Sequence, residues 1–142
     1  MPSEHKQRQM EHVEQIAAND HLLAYILRRE LQPSKTAFVT PDILNFQAGF
    51  IVYPADSEIP RHVHKPIHRE LDLTSEVLFV KKGRCEVDFF TEEKELVATR
   101  ELRTGDVLLL LGGGHGFRVL EDTVFLEIKQ GPYTGLDEKE RF

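Results

Sequence analysis

From Pro33 onward the chain is cut by turn-forming residues into short apolar or alternating runs, and this texture limits the fold more than any other feature of the sequence. About eight or nine runs of strand length follow one another: "TAFVT", "NFQAGFIVYP", "IPRHVH", "EVLFVKK", "RCEVDFF", "ELVATREL", "DVLLLL", "GFRVL" and "TVFLEIKQ". Between them, "PADSE" and "KPIHRELDLTS" read as loops, and "KKGR", "TEEKE", "RTGD", "GGGHG" and "LEDT" as turns, because Gly, Asp, Asn and Ser accept the dihedrals that reverse a chain. Parallel strands need long crossovers, usually helical, whereas antiparallel strands are joined by breaks as short as these. The region therefore predicts an all-β, antiparallel double-sheet roll.

The first thirty residues have a different texture. Residues 3–31 contain no Gly or Pro, and Met10, Val13, Ile16 and Ala17, then Leu23, Ile26, Leu27 and Leu31, recur at spacings of three and four. Such spacing predicts an amphipathic helical arm over 1–33, set apart from a single β domain over 34–142. "AAND" divides the arm into two short helices, with Asn19 ending the first and Asp20 capping the second, and "LQPS" stops the second at Pro33. The apolar stripe of the arm must be covered, either by the chain's own sheet or by a neighbour.

Composition excludes several classes of function. With 142 residues the chain has the length of one domain, and its net charge of −6, with bases and acids interleaved, argues against a phosphate-backbone binder. "VLLLLGGG" is too short to cross a bilayer and the N-terminus is too polar for a signal peptide, so a soluble cytoplasmic protein is expected, with no membrane or nucleic-acid partner. The one cysteine, Cys85, has no partner for an internal disulfide and fits a small buried strand residue.

Three of the seven histidines fall in "IPRHVHKPIHRE". On a strand, His62 and His64 share a face, and two neutral imidazoles side by side suit a transition metal. Glu76 opens "EVLFVKKG" in alternation with Leu78 and Val80, which sets its carboxylate toward the core, where it needs a cation or water as partner. The glycines of "GGGHGF" allow a tight turn that brings His115 near another strand. No Lys-Ser/Thr pair or helix follows them, so a phosphate loop is not expected.

The order His-x-His, then Glu-x6-Gly, then Gly-Asp before an apolar strand and a histidine, resembles the cupin superfamily. The C-terminal "FLEIKQGPYTGLDEKERF" is similar to the ending of small single-domain cupin-fold metalloproteins of the WbuC-like kind. The resemblance implies a double-stranded β-helix, or jelly-roll barrel, with His62, His64, Glu76 and His115 as metal ligands and Gly83 and Gly105 as motif glycines. Three departures stand out. Eleven residues separate His64 from Glu76, more than the usual motif holds, so "KPIHRELDLTS" looks inserted at the barrel mouth and offers His68 as an alternative ligand. Leu111 replaces the second motif's proline, and Val119 its late asparagine.

Three imidazoles and a carboxylate leave about two octahedral positions open, and the set suits one divalent transition metal per chain, manganese or iron in preference to nickel or zinc. The resemblance implies a metal-dependent enzyme of the oxygenase, isomerase or lyase type, acting on a small polar metabolite such as a sugar derivative or oxo-acid. A non-catalytic, metal-dependent binder or sensor of a small molecule is the alternative. Cupins are commonly dimers, so the resemblance also implies a homodimer with the arm at the contact. A general acid or base in the cavity would separate the two, and Glu127, which shares a strand face with Phe125 and Lys129, is the candidate catalytic residue. Tyr53, Arg61 and Arg118 are further candidates to line the cavity, and Lys65 and Arg69 in the inserted loop would attract an anion.

Overall fold

The computed structural model describes residues 10–135 and 138–142, and all regular structure among them is β. Ten strands form in chain order: β1 (Val13–Ala18), β2 (His21–Leu27), β3 (Ala37–Phe38), β4 (Gly49–Phe50), β5 (Glu76–Lys82), β6 (Arg84–Phe90), β7 (Leu96–Arg103), β8 (Val107–Leu110), β9 (Gly114–Val119) and β10 (Val124–Lys129). A five-stranded sheet has the order β1-β2-β8-β5-β10, a three-stranded sheet the order β7-β6-β9, and β3 pairs with β4. Every pairing is antiparallel. The two larger sheets face each other but are not hydrogen-bonded into a closed barrel, and β9 and β10 each remain a sheet edge among the described residues.

The helical arm is not formed; the described part of residues 1–33 is a β-hairpin. β1 and β2 pair from Val13↔Leu27 to Ala18↔His21, and the two residues between them, Asn19 and Asp20, have φ of 51° and 62°. Two successive left-handed residues make the turn whose twist matches a hairpin, and Asn and Asp adopt that conformation more readily than other side chains. "AAND" is thus a strand reversal rather than a helix break. The apparent spacing of three and four in β2 comes from two period-two faces superposed. Ala24 and Ile26 enter the core between the sheets, while Tyr25 and Leu27 enter a second cluster on the opposite face. Residues 1–9, which carry the start of the expected arm, lie outside the described residues.

The second cluster explains the unbroken apolar run of β8. Leu108 and Leu110 join Ile16, Leu78 and Val80 of the large sheet and Cys85, Val87, Phe89 and Leu102 of the small sheet in the inter-sheet core. Leu109 turns the other way onto Tyr25, Val39 and Phe50, where the segment around β3 and β4 covers the large sheet. A strand buried on both faces loses its alternation, as β2 and β8 do. Cys85 is the buried strand residue expected, and its thiol is pushed above the ordinary range, chiefly by burial.

Asp106, almost wholly buried, fixes one end of the sandwich. Its carboxylate accepts hydrogen bonds from Arg28 Nη1 at 3.1 Å, from the Arg29 amide at 3.0 Å and from the Arg103 amide at 2.9 Å. It thereby ties the end of β2 to the β7–β8 turn. Gly105, beside it, has φ +93°.

Candidate site at the mouth of the sandwich

Glu76 is the first residue of β5, and the alternation that buries Leu78 and Val80 also turns its carboxylate into the gap between the sheets. It pairs with Leu110 on one side and Lys129 on the other. Opposite it, β9 leaves the glycine turn with His115 on the same face as Phe117, which packs onto the inter-sheet core. Gly113, with φ +65°, makes that turn, and a Cβ there would lie 2.2 Å from the Phe90 carbonyl oxygen. The outcome is a facing pair: His115 Nε2 stands 3.7 Å from Glu76 Oε2.

Glu76 is buried, with 11% of its side chain exposed, whereas His115 sits at the opening with 32% of its side chain exposed. Burial lowers the His115 pKa below the ordinary histidine range; Glu76 and Glu127 pull it upward, and Lys139 acts in the same direction as burial. A neutral imidazole keeps a lone pair, which is what a metal, a proton or an electrophile requires. Behind the pair the rings of His115, Phe117 and Phe125 succeed one another at centroid separations of 5.9 and 5.3 Å, an aromatic wall between the sheets. Glu127 stands on the Phe125 face of β10, exposed at the rim, while Lys129, on the same face, pairs with Glu138 at 3.7 Å.

The tail beyond Glu138 borders this mouth. Lys94 pairs with Glu140 at 2.6 Å, and the Phe142 ring packs edge-on against Phe90 at 5.1 Å. A short polar tail has no periodicity that would place these residues at the mouth from sequence.

His62 and His64 are elsewhere. The expected strand "IPRHVH" does not form; the described chain has no strand between Phe50 and Glu76, and residues 53–74 are exposed throughout. Pro60 cannot donate to a ladder, and its neighbours Arg61, His62, His64 and Lys65 favour water. The two imidazoles still lie edge to face, 5.3 Å apart. His62 Nδ1 lies 2.9 Å from the Pro60 carbonyl oxygen, a contact in which the ring nitrogen must be the donor, so that in the neutral ring Nε2 is the acceptor.

Among the described residues no three side chains of His, Cys, Asp or Glu stand close enough together to hold a metal ion. The four ligands implied by the sequence thus come as two pairs, Glu76 with His115 and His62 with His64, and the donor set fits a metal only in halves. His68 is exposed, 3.7 Å from Glu70. Tyr53, Arg61, Lys65 and Arg69 lie in the same exposed segment, and Arg118 is engaged on the outer sheet face by Asp88 at 2.6 Å and Glu86 at 3.1 Å. No described helix is long and apolar enough to cross a membrane.

Compared with protein-family signatures, curated proteins and solved structures, the chain matches none.

Proposed function

We propose that this chain is a cupin-like, metal-dependent protein that acts on a small polar metabolite at the mouth of the sandwich, with Glu76 and His115 as one half of the donor set and His62 and His64 as the other. The observation that carries the reading is the Glu76–His115 pair, in which a carboxylate and an imidazole of depressed pKa meet from opposite sheets at 3.7 Å. Two antiparallel sheets over a single core support the jelly-roll part of the reading, and the His62 tautomer set by Pro60 supports the second pair of donors. A divalent ion with open positions would supply Lewis acidity toward a bound oxygen.

The chain's own groups have separable roles. Phe117 and Phe125 keep the inner side of the site dry, Glu76 and His115 offer donors from two rigid strands, and Glu127 at the rim is the group available to exchange a proton with a bound metabolite. Elemental analysis of protein purified from manganese- and iron-supplemented cultures tests the reading. The expected result is stoichiometric metal in the wild type, lost in Glu76→Ala and His115→Ala proteins that keep the wild-type circular dichroism. Metal-free wild-type protein would refute it.

A further inference from the structure

Residues 138–142 cross from one sheet to the other beside the Glu76–His115 pair. At one end Glu138 meets the five-stranded sheet: Lys129, the register partner of Glu76, lies 3.7 Å from its carboxylate, and the Thr74 hydroxyl donates to it at 3.4 Å. At the other end the tail meets the three-stranded sheet. Lys94 pairs with Glu140 at 2.6 Å and stands over the Phe142 ring at 5.7 Å, and that ring covers Gly114, where an added Cβ would lie 3.0 Å from its Cζ. Gly114 precedes His115 on β9 and is the register partner of Phe90, whose ring packs edge-on against Phe142. Four extended steps of chain span about 13 Å, enough to cross the roughly 10 Å between facing sheets. Each anchor is therefore a neighbour of one member of the pair, and Lys139, between the anchors, is close enough for its charge to act on His115.

The two ends are unequally held. Lys129 and Glu138 keep side-chain exposures of 18% and 25%, whereas Lys94 and Glu140 stand at 42% and 77% and Phe142 is mostly exposed. Ion pairs in water are weak and are screened by salt, so the Glu140 end opens more readily than the Glu138 end. With the tail in place, part of the His115 side chain still reaches water, so the mouth is narrowed rather than sealed. We propose that residues 138–142 form a strap across the mouth, anchored at Glu138 and latched reversibly by Glu140 and Phe142, whose release widens the way to His115 and Glu76. As a regulator of the site proposed above, the strap rests on that reading for its use, while its release depends on the latch contacts alone. A metabolite or ion enters the mouth in proportion to the unlatched population.

Carbethoxylation of His115 by diethylpyrocarbonate, followed by peptide mass spectrometry with His62 as the internal standard, reads the latch. The protein is chelator-treated and held above the ordinary histidine pKa, where the imidazoles are neutral in every variant. Lys94→Glu, Glu140→Lys and Phe142→Ala proteins with wild-type circular dichroism are expected to modify His115 up to about fivefold faster than the wild type, the factor that one exposed ion pair carries. The reciprocal Lys94→Glu/Glu140→Lys protein is expected to return to the wild-type rate, because the exchanged charges remake the latch. Unchanged His115 rates in the three single variants, or a reciprocal variant as fast as its parents, overturn the strap. Faster singles with recovery in the reciprocal variant, from a wild type that takes up no metal, uphold the strap and remove only the metal reading. Unchanged rates beside stoichiometric metal do the reverse.

Discussion

His115 Nε2 stands 3.7 Å from Glu76 Oε2, the imidazole reaching in from the three-stranded sheet and the carboxylate from the five-stranded one. Because burial depresses the His115 pKa while Glu76 raises it, the pair has a definite pH signature in metal-free protein. The folded state binds this proton less readily than the unfolded chain, so the associated stability is full above the ordinary histidine pKa and is lost as pH falls through the lower folded-state value. The melting temperature is expected to fall between pH 7 and 5, with a smaller fall in His115→Gln, as thermal melts across that range would reveal. In Glu76→Gln the NMR titration midpoint of His115 should move lower still; an unchanged or raised midpoint contradicts the pairing.

Asp106 should be among the least replaceable polar residues. It accepts two backbone amides and the Arg28 guanidinium from a nearly dry position, and its removal leaves those donors without their acceptor. Asp106→Ala is expected to cost about 3 kcal/mol, measured by urea unfolding.

Two glycines of the sandwich should respond oppositely to alanine. Gly83 has φ +106°, and a Cβ there would lie 2.4 Å from the Asp122 carbonyl oxygen, so Gly83→Ala should lose roughly 2 kcal/mol or more. Gly116 has nothing within 4 Å of the added carbon, and Gly116→Ala should be neutral or slightly stabilising. Chemical denaturation of both variants decides the contrast.

The β1–β2 hairpin makes its own prediction. With Asp20 at φ 62°, Asp20→Gly should leave stability unchanged or raise it by up to about 1 kcal/mol, whereas Asp20→Val should lower it by about 1–2 kcal/mol. A helix cap at this position would give the reverse order for glycine and aspartate in thermal melts.

β5 and β6 were legible in sequence because buried residues alternate with more exposed ones along each and a turn residue ends each, and β8 because a short apolar run stands between "TGD" and "GGG". β2 was not, since burial on both faces erased its alternation and left a spacing that imitates a helix. Within the site, Glu76 and His115 could be read from the pattern of an acid in an apolar alternation and a histidine beside glycines. The conformation of His62 and His64 could not: alternation in "RHVH" gives a shared face only if a neighbouring strand pairs with it, and Pro60 and Pro66 deny part of that pairing. The C-terminal stretch that ends in Glu138 to Phe142 carries a family resemblance, but no periodicity in it marks the docking of Glu140 on Lys94 or of Phe142 on Phe90.

In the proposed function the Glu76–His115 and His62–His64 pairs serve one metal. Calorimetric titration of chelator-stripped protein with Mn²⁺ tests it most directly, comparing wild type with His62→Ala/His64→Ala and with Glu76→Ala. Stoichiometric binding to the wild type and loss of that binding in both variants are expected. Undiminished binding by His62→Ala/His64→Ala, or no binding by the wild type, would contradict it.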